Sequence, residues 1–404
     1  MEKKADNKSV LIISNFCDYG NDQFNDRFNY IAHLLAQEGI QTELLTSSFS
    51  HRNKKQREKA VTSRQYQCNL LFEPGYKRNI SLRRFWSHYV WGKNVAKYLR
   101  TIREPDVIYC AVPSLTAARE AAKYCNKRGI RFAVDVQDLW PEAFKMVLNI
   151  PLISQVLFFP FQKYADSIYR KADEIFAVSE TYAERVRAVN QKQAKEYVAY
   201  IGTDLREFDR GAKMPQSLLK KSDDELWLTY CGTLANSYDM KCAIDAVNIA
   251  NQDSRQPIKL VVMGDGPLMN EFEQYAKQVS ADAVFLGRVP YEIMCAILAQ
   301  SDFTINPIVK GSAASIINKH ADYAASGLPV INTQDSKEYI ALVEQYQMGF
   351  NCAPGDSAAV AQKLVELASD EQQRVRMGKN ARRCAQERFD RAHTYQKIKE
   401  VLAL

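Results

Sequence analysis

The sequence lacks several features that would each point to a particular class of protein. No run of 18 apolar residues occurs among its 404 residues, so no membrane-spanning helix is predicted. The N-terminal residues MEKKADNKSV lead directly into a short apolar run without the longer core of a signal peptide, and secretion is therefore not expected. The nine cysteines are scattered and form no C-x-x-C pair, which predicts reduced thiols rather than a disulfide framework.

The common nucleotide, metal and hydrolase motifs are absent as well. The sequence contains no Walker A motif and no G-x-G-x-x-G after the first predicted strand, which argues against a P-loop NTPase and a dinucleotide dehydrogenase. It contains no H-E-x-x-H, no cysteine–histidine cluster and no D-x-D pair, and its five histidines lack ligand spacing. No metal site is therefore predicted. No G-x-S-x-G motif marks a serine hydrolase.

The positive charge is concentrated in one part of the chain. The net charge is +7, and residues 51–100 alone hold 13 basic and 2 acidic residues. This excess predicts attraction to an anionic surface, which would be lipid, nucleic acid or a phosphorylated substrate. The alternative is a basic face that is simply solvated.

Short apolar runs alternate with segments of helical apolar spacing along the whole chain. This order predicts an α/β protein with two Rossmann-like domains, each a doubly wound parallel sheet, facing an interdomain cleft. The polar segment 203–225 holds no predicted strand and is interpreted as the linker. Ligands are expected beyond the carboxyl ends of the strands. The predicted strands are 10–14, 42–47, 106–112, 131–137, 174–179 and 197–202 in the first half, and 226–232, 258–264, 283–287, 303–308 and 328–333 in the second.

The segment 305–332 carries the strongest chemical signal. A predicted strand leads into the small-residue loop Gly311–Ser315, followed by a helix that ends at Gly327. Small residues leave amides accessible, and a helix N-terminus adds positive charge, so this segment predicts a seat for a phosphate or diphosphate. Lys310 and Lys319 would add charge, and Asp322 would accept two ribose hydroxyls. The alternative is an amphipathic helix with an exposed Lys–Asp pair.

Two strand ends add weaker signals. Gly232 and Thr233 follow one predicted strand, and Gly264 follows the next. Glycine allows backbone to approach a ligand closely. The alternative for both positions is an ordinary tight turn between a strand and a helix.

Motifs along nearly the whole chain resemble the family-four glycosyltransferases of the GT-B fold. The segment DVQDLWPEAF (135–144) resembles the branch that builds bacterial capsule, exopolysaccharide or O-antigen chains. The resemblance implies a metal-independent transferase that moves a hexosyl-type sugar from a nucleotide diphosphate donor with retention. The motifs that carry it are ADEIFAVSETYAER, YIGTDLREF, YCGTL, VVMGDGPL, VFLGRVPYEIM, DYAASGLPVI, GFNCAPGD and RVRMGKNARRCAQERFD.

The resemblance also assigns site residues. It places Asp322 at the acidic position that holds the ribose and Ala314 at the position of a missing first acid. It implies that Lys319 contacts phosphate and that Arg288 and Val289 approach the base. The family's basic clamp on the diphosphate is missing, because Thr233 and Tyr238 hold the positions of its two cations. Asp138 is the candidate for orienting the acceptor, and its alternative is a helix N-cap. The predicted catalytic residues are Asp138 and Lys319, and the predicted donor-binding residues are Gly20, Gly232, Thr233, Gly264, Arg288, Val289, Lys310, Ser312, Ala313, Ala314 and Asp322.

The predicted organisation follows from the same resemblance. Residues 1–205 would form an acceptor-binding domain, residues 206–385 a nucleotide-sugar donor domain, and residues 386–404 a C-terminal helix that packs back on the first domain. The expected co-substrate is a UDP-sugar, with no cofactor and no metal. The acceptor would be a saccharide or a lipid-linked unit of a surface polysaccharide. Three alternatives stay open: a nucleotide-sugar epimerase, a sugar phosphorylase, and a non-catalytic sugar-binding or assembly protein on a degenerate GT-B fold.

The basic segments also contain aromatic residues. Residues 51–59 and 76–100 mix cations with six aromatic side chains, and the apolar segment 146–164 lies nearby in the sequence. This composition predicts peripheral binding to the anionic inner face of the cell membrane by a cytoplasmic protein. A single-stranded nucleic-acid groove has similar needs, but no nucleic-acid module is recognisable and no such partner is expected. The aromatic residues are Tyr76, Phe85, Trp86, Tyr89, Trp91 and Tyr98.

Overall fold

The computed structural model describes residues 8–17, 26–57, 65–79, 81–142, 151–312 and 315–404. The chain forms two compact units. The N-terminal unit comprises Met1–Ala199 and Tyr395–Leu404, and the C-terminal unit comprises Tyr200–Thr394. In the described part of the chain, no helix combines the length and the apolarity that crossing a bilayer requires.

The N-terminal unit is built on a seven-stranded parallel sheet. Its strand order is β5-β2-β1-β6-β7-β8-β9, so the order reverses between β1 and β6. Strands occur at five of the six predicted positions, and the sixth, predicted over 197–202, is found at Lys195–Val198, while β5 and the antiparallel hairpin β3–β4 were not predicted. The strands are β1 (Ser9–Ser14), β2 (Gln41–Ser47), β3 (Phe49–Ser50), β4 (Lys55–Gln56), β5 (Gln67–Leu71), β6 (Val107–Val112), β7 (Arg131–Val136), β8 (Glu174–Ala177) and β9 (Lys195–Val198).

Helices connect these strands and begin where the sequence supplies a cap. Asp26 accepts hydrogen bonds from the amides of Phe28 and Asn29 and so starts the first helix, and Gly129 ends the third in the left-handed conformation. The last helix of the chain packs against the first. The helices are α1 (Arg27–Gln37), α2 (Leu82–Tyr98), α3 (Leu115–Arg128), α4 (Pro151–Tyr169), α5 (Glu180–Arg187) and, at the end of the chain, α15 (Gln396–Ala403).

A buried ion pair crosses the core of the N-terminal unit. The Nε of Arg27 on α1 donates to Asp135 on β7 at 2.7 Å, and both side chains are almost fully buried. Tyr109 on β6 donates its hydroxyl to the same carboxylate at 2.6 Å, and the Arg27 guanidinium also donates to the carbonyl of Ala199. These contacts tie α1 to the middle of the sheet, since a buried charge is tolerated only when it is paired and hydrogen-bonded.

The C-terminal unit contains a six-stranded parallel sheet of order β12-β11-β10-β13-β14-β15. All five strands predicted in this half are present, and the short β15 was not predicted. The order reverses between β10 and β13, which makes this pair of strands the topological switch point of the sheet. The strands are β10 (Leu226–Cys231), β11 (Ile258–Met263), β12 (Ala283–Phe285), β13 (Phe303–Asn306), β14 (Val330–Asn332) and β15 (Gly349–Asn351).

Two helical segments of this unit differ from the prediction. The segment assigned as a linker contains the helix α6, because Asp204 caps it and its apolar residues Leu205 and Phe208 are buried. The helix predicted from residue 312 begins only at Lys319. The helices are α6 (Leu205–Ala212), α7 (Met240–Asp253), α8 (Met269–Gln278), α9 (Tyr291–Gln300), α10 (Lys319–Ser326), α11 (Lys337–Tyr346), α12 (Ser357–Ser369), α13 (Glu371–Cys384) and α14 (Arg391–Thr394), with a π-helical turn at Ala385–Phe389.

Hydrogen bonds between side chains and the preceding loop explain the late start of α10. The side chain of Gln334 donates to the carbonyl of Ser315 at 2.6 Å, and the Ser315 hydroxyl donates to Glu338 at 2.8 Å. His320 accepts from the amide of Ile317 at 3.3 Å. These hydrogen bonds pair backbone groups of the loop while the loop is not helical. An earlier start of the helix would therefore add no stability from backbone hydrogen bonds.

Candidate functional site

The switch point of the C-terminal sheet brings several strand ends together. Gly232 follows β10 with φ 148°, and Gly264 follows β11 with φ 151°. A β-carbon on Gly264 would lie 1.7 Å from the carbonyl oxygen of Gly232, so only glycine fits there. The amide of Gly264 donates to the carbonyl of Gly287, which follows β12. The backbones of these two strand ends therefore approach each other closely, which only glycine allows.

A buried lysine lies at this edge of the sheet. The Nζ of Lys319 is fully buried, and among the described residues no hydrogen-bond partner contacts it. Lys319 occupies the first position of α10 and is 9% exposed. Its Nζ lies 4.0 Å from the ring centroid of Tyr230 and 4.1 Å from that of Tyr238. A β-carbon on Gly232 would lie 2.8 Å from the same nitrogen. The ammonium thus sits between two aromatic rings and the backbone of a strand end.

The surroundings of Lys319 make it a receptor for negative charge. Burial lowers the pKa of its ammonium group to about 7, because an ion that has lost its hydration shell is less stable than the neutral amine. The faces of two tyrosines stabilise a cation only partly. Within the described residues no carboxylate pairs with it. An anion bound at Gly232 would supply the missing partner and restore the charge.

Asp322 lies one turn further along α10 and has a different environment. The hydroxyl of Tyr291, the first residue of α9, donates to its Oδ1 at 2.9 Å. Burial raises the pKa of the Asp322 carboxyl to about 6, against the hydrogen bonds from Tyr291 and Thr203 and the charge of Arg391. Hydroxyl donors therefore hold the carboxylate in place. A carboxylate that binds the hydroxyls of a ligand needs to be fixed in this way.

The loop before α10 differs from the predicted amide seat. The amide of Gly311 donates to Asp335 at 3.0 Å, and the amide of Ser312 donates to the carbonyl of Val309 at 3.0 Å. These two amides are therefore already satisfied. Lys310 in the same loop is exposed, and the predicted site residues Ala313 and Ala314 lie outside the described residues.

The other donor-side predictions lie at the rim of the same edge. Thr233 is exposed, and its carbonyl accepts a hydrogen bond from the Tyr230 hydroxyl at 2.7 Å. Arg288 is exposed and Val289 half-buried, directly after Gly287. The structure thus places the strand-end residues and Lys319 at one edge, whereas Arg288 and Lys310 extend into solvent.

Two residues of this site were not assigned from the sequence. Tyr230 was read only as part of a strand, although side chains alternate along a strand and it precedes Gly232 by two positions. Tyr291 stands directly after the loop 286–290, and its position at the start of a helix was the available signal. From the sequence, Tyr238 was noted only because it stands where the family has a basic residue. In the structure it is the second ring that encloses Lys319.

The N-terminal unit holds the proposed acceptor residue Asp138 just after β7. Its carboxylate accepts a hydrogen bond from the indole of Trp140 at 3.1 Å. Burial raises the pKa of Asp138, against that hydrogen bond and the nearby charge of Arg84. Gly20, the donor-side prediction in this half, lies outside the described residues.

The six aromatic residues of the basic segment differ in burial, and Phe85 and Tyr98 are half-buried. Tyr76 and Trp91 are buried in the unit, whereas Trp86 is 47% and Tyr89 52% exposed on α2. The exposed pair therefore belongs to the surface and the buried pair to the packing. Leu82 at the start of α2 is 87% exposed as well.

Comparisons with families and curated proteins cover both halves of the chain. The family model described as Glycosyltransferase Family 4 matches residues 28–207, and the model described as Glycosyl transferases group 1 matches residues 225–370. EpsD of Bacillus subtilis (strain 168), described as a glycosyltransferase, is 20% identical over 309 residues, which are 74% of this chain and 76% of EpsD. The N-acetyl-alpha-D-glucosaminyl L-malate synthase of Bacillus anthracis is 28% identical over 133 residues, 32% of this chain and 33% of the synthase.

Solved structures share the fold over almost the full length. HepE of Anabaena, solved with UDP-glucose, has a TM-score of 0.67 at 16% identity and covers 98% of this chain and 99% of its own. Sucrose-phosphate synthase of Thermosynechococcus elongatus reaches 0.71 at 15% identity, with 98% of both chains covered. WaaG, a glycosyltransferase involved in lipopolysaccharide biosynthesis, reaches 0.67 at 14% identity, with 98% of this chain and 99% of WaaG covered. With two glycosyltransferase models matching its two halves and two parallel-sheet units of this fold, the chain belongs to the family-four glycosyltransferases of the GT-B fold.

Proposed function

We propose that this glycosyltransferase moves a sugar from a nucleotide diphosphate donor, with retention at the anomeric carbon, to a lipid-linked unit of a surface polysaccharide. The observation that carries the proposal is the buried, unpartnered ammonium of Lys319 beside Gly232. A diphosphate is the anion that a nucleotide-sugar donor would bring to this position. The position also lies at the switch point, where ligands of doubly wound sheets bind.

In this reaction the protein must stabilise the leaving group. As the bond between the anomeric carbon and the phosphate oxygen breaks, negative charge grows on the departing nucleoside diphosphate. An ammonium held in place before the reaction stabilises that charge without reorganisation. The acceptor hydroxyl oxygen forms the new bond on the same face, and its proton passes to the phosphate oxygen that leaves. No metal or cofactor is needed in this scheme, because Lys319 supplies the positive charge.

Asp322 and Asp138 take supporting roles in the proposal. The Asp322 carboxylate accepts the two ribose hydroxyls, in exchange for or beside its bond from Tyr291. In the N-terminal unit, Asp138 orients the acceptor hydroxyl, and its fixed bond from the Trp140 indole holds the carboxylate still.

The relatives support the choice of donor and acceptor. HepE was solved with UDP-glucose, with UDP and glucose, and with UDP, which favours a UDP-sugar as the donor here. WaaG is involved in lipopolysaccharide biosynthesis, which favours a surface glycan as the product. The exposed Leu82, Trp86 and Tyr89 on α2, next to cations of the same helix, favour peripheral contact of the N-terminal unit with an anionic membrane face.

The donor proposal is tested by ligand binding and product analysis. Thermal unfolding of the full chain is followed with a panel of UDP-, GDP- and dTDP-sugars, since a ligand that binds the folded state alone raises the melting temperature. The sugar that stabilises the protein is then supplied with a lipid-diphosphate saccharide acceptor, and the anomeric configuration of the product is read by NMR. We expect one nucleotide class to bind, and an α-linked donor to give an α-linked product.

Matched variants make the result specific. Lys319→Met should reduce stabilisation by the donor, whereas Lys379→Met, at an exposed lysine of the same unit, should leave it unchanged. Binding without hydrolysis or transfer to any acceptor would favour the non-catalytic alternative. Equal donor binding by wild type and Lys319→Met would contradict the proposed site.

Membrane contact is tested separately. Flotation of the full chain with vesicles of neutral or anionic phospholipid should show binding that requires anionic lipid and weakens with salt. Replacement of Trp86 and Tyr89 by serine should reduce the bound fraction. Recovery that does not depend on lipid charge would count against this part of the proposal.

A further inference from the structure

A cavity of about 550 Å³ opens in the N-terminal unit. We call it the basic pocket and define it by Phe49, Tyr76, Lys54, Lys77, Arg78 and Arg83, which line it. The first two residues form an aromatic wall, with ring centroids 5.2 Å apart. The other four place positive charge around it. Its volume lies in the range of sites for small ligands.

The cations of the basic pocket have no acidic partners. In the part of the chain that the structure describes, none of its four basic residues forms an ion pair. The Nζ of Lys54 donates to the side chain of Asn79 at 2.6 Å, and the Nε of Arg83 donates to the carbonyl of Gly75 at 3.2 Å. Lys77 and Arg78 are exposed. Uncompensated charge of this density attracts an anion.

The wall of the pocket is rigidly built. A β-carbon on Gly75 would lie 2.5 Å from the Phe49 ring, and Gly75 has φ +81°, so glycine is required there. Behind the wall, the buried Glu73 accepts hydrogen bonds from the hydroxyls of Ser47 at 2.6 Å and Ser87 at 2.7 Å. All donors to this carboxylate that the structure shows are neutral. It therefore fixes the wall, and its charge raises the pKa of Lys54 only against the larger opposing effects of burial and Arg84.

A second layer of positive charge lies beneath the aromatic wall. The guanidinium of Arg84 lies 5.5 Å from the ring centroid of Tyr76 and 4.6 Å from that of Trp140, and its Nε has no hydrogen-bond partner. Burial and the charge of Arg84 lower the pKa of Lys54 to about 8. The positive groups therefore repel one another, and a bound anion would reduce this repulsion.

We propose that the basic pocket binds the phosphate or diphosphate group of the acceptor. The inference rests on the proposed function, since it identifies the part of the acceptor that this enzyme recognises. Guanidinium groups bind phosphate oxygens through charge-assisted, often bidentate, hydrogen bonds. The group is carried by a lipid, because the exposed Leu82 and Trp86 stand on α2 beside Arg83, whose guanidinium lies 4.6 Å from the Trp86 ring centroid.

The test measures anion binding by the full chain while the donor site is filled. Inorganic pyrophosphate is titrated by calorimetry in the presence of saturating UDP. The Lys54→Gln/Arg78→Gln double variant should bind it more weakly than wild type by about a hundredfold or more, from the loss of two hydrogen bonds to a charged group. The control is Arg100→Gln/Lys127→Gln, which removes the same charges from exposed positions of the same unit and should bind as wild type does.

A second arm identifies the source of the phosphate. Neutral phosphatidylcholine vesicles are doped with a long-chain alkyl diphosphate or with the corresponding alcohol, and co-flotation is measured. Wild type should float only with the diphosphate, and the pocket double variant should not. Binding of free pyrophosphate without flotation would overturn the lipid source. Equal pyrophosphate affinity in wild type and the pocket variant, or none in either, would overturn the pocket.

The two proposals fail in different ways. Lys319→Met removes the proposed donor contact and should leave pyrophosphate binding in the basic pocket intact. If UDP does not bind, the donor proposal fails, and pyrophosphate binding that depends on Lys54 and Arg78 still supports the pocket. If UDP binds and the pocket double variant has the same pyrophosphate affinity as wild type, only the proposal for the basic pocket fails. Thermal unfolding of each variant confirms that it is folded.

Discussion

The Nζ atom of Lys319 occupies the space that a β-carbon on Gly232 would need, since the two would be 2.8 Å apart. The strand end and the first residue of α10 are therefore fitted to each other. Gly232 has no side chain that could compete with a ligand for the ammonium group. A ligand that reaches the backbone of Gly232 reaches Lys319 as well.

The first prediction concerns the glycine of this pair. Gly232→Ala should displace the Lys319 side chain and weaken donor binding about tenfold or more, the loss of one hydrogen bond to a charged group. The control is Gly39→Ala, because Gly39 also has a positive φ, +76°, but no atom within 4 Å of the added carbon. Both variants pay the backbone strain of about 1–2 kcal/mol, and only Gly232→Ala should lose affinity for UDP in calorimetry. Equal affinities would separate Gly232 from the donor site.

The second prediction concerns the pH dependence of donor binding. The pKa of Lys319 in the free protein is lowered to about 7 by burial, so the amine is largely neutral at pH 8.5. A bound diphosphate favours the ammonium form, and binding must then take up a proton. UDP affinity should fall as the pH rises from 7 to 8.5, by at most about tenfold per unit. Lys319→Met should bind more weakly and show no such slope.

Proton uptake offers an independent check of the same prediction. Calorimetric titrations at pH 8 in buffers of different ionisation enthalpy report the number of protons bound with UDP. Wild type should take up close to one proton and Lys319→Met close to none. A wild-type slope that the methionine variant retains would assign the pH dependence to another group.

The third prediction concerns stability and Asp322. Burial raises the pKa of its carboxyl to about 6, above its value in an unfolded chain. The folded state then binds more protons than the unfolded state between about pH 4 and pH 6, and the contribution to stability is lost as the pH rises through that window. Asp322→Asn should keep the bond from Tyr291 and remove this contribution. The difference in unfolding free energy between the two proteins should change by on the order of 2–3 kcal/mol from pH 4 to pH 7.

Urea unfolding at a series of pH values measures that difference. Histidines that titrate in the same range affect both proteins alike, so they cancel in the comparison. A difference that does not vary with pH would show that the Asp322 carboxyl titrates normally.

The sheets could be predicted from the sequence because their strands are buried on both faces. Runs such as Val10–Ser14 and Leu226–Cys231 are almost entirely apolar or buried, and this pattern of short apolar runs between helical segments has few other solutions. Of the strands that were missed, β5 and β15 are only half-buried along most of their length. Their sequences carry little of the signal that marks a central strand.

The candidate site was predicted less completely, for a physical reason. The small-residue loop before α10 suggested open amides and an early helix start. Instead, Gln334 donates a hydrogen bond to the carbonyl of Ser315, and Asp335 accepts one from the amide of Gly311. Such bonds join residues that are some twenty positions apart and leave no local pattern. The burial of Lys319 between Tyr230 and Tyr238 likewise depends on tertiary packing. The sequence predicted Lys319 as a phosphate contact, but it gave no sign that two tyrosines enclose its ammonium group.

The last prediction concerns the buried pair of the N-terminal unit. Arg27→Met should cost about 3–5 kcal/mol of unfolding free energy, because it leaves the Asp135 carboxylate buried without its partner. Asp135→Leu should cost a similar amount for the reverse reason. The Arg27→Met/Asp135→Leu double variant should lose clearly less than the sum, since neither charge is then left alone. The control is Arg131→Met, in the partly exposed pair of Arg131 and Glu174, which should cost about 1 kcal/mol or less. Chemical unfolding of the four variants checks these values, and additive losses at Arg27 and Asp135 would show that the two residues do not stabilise each other.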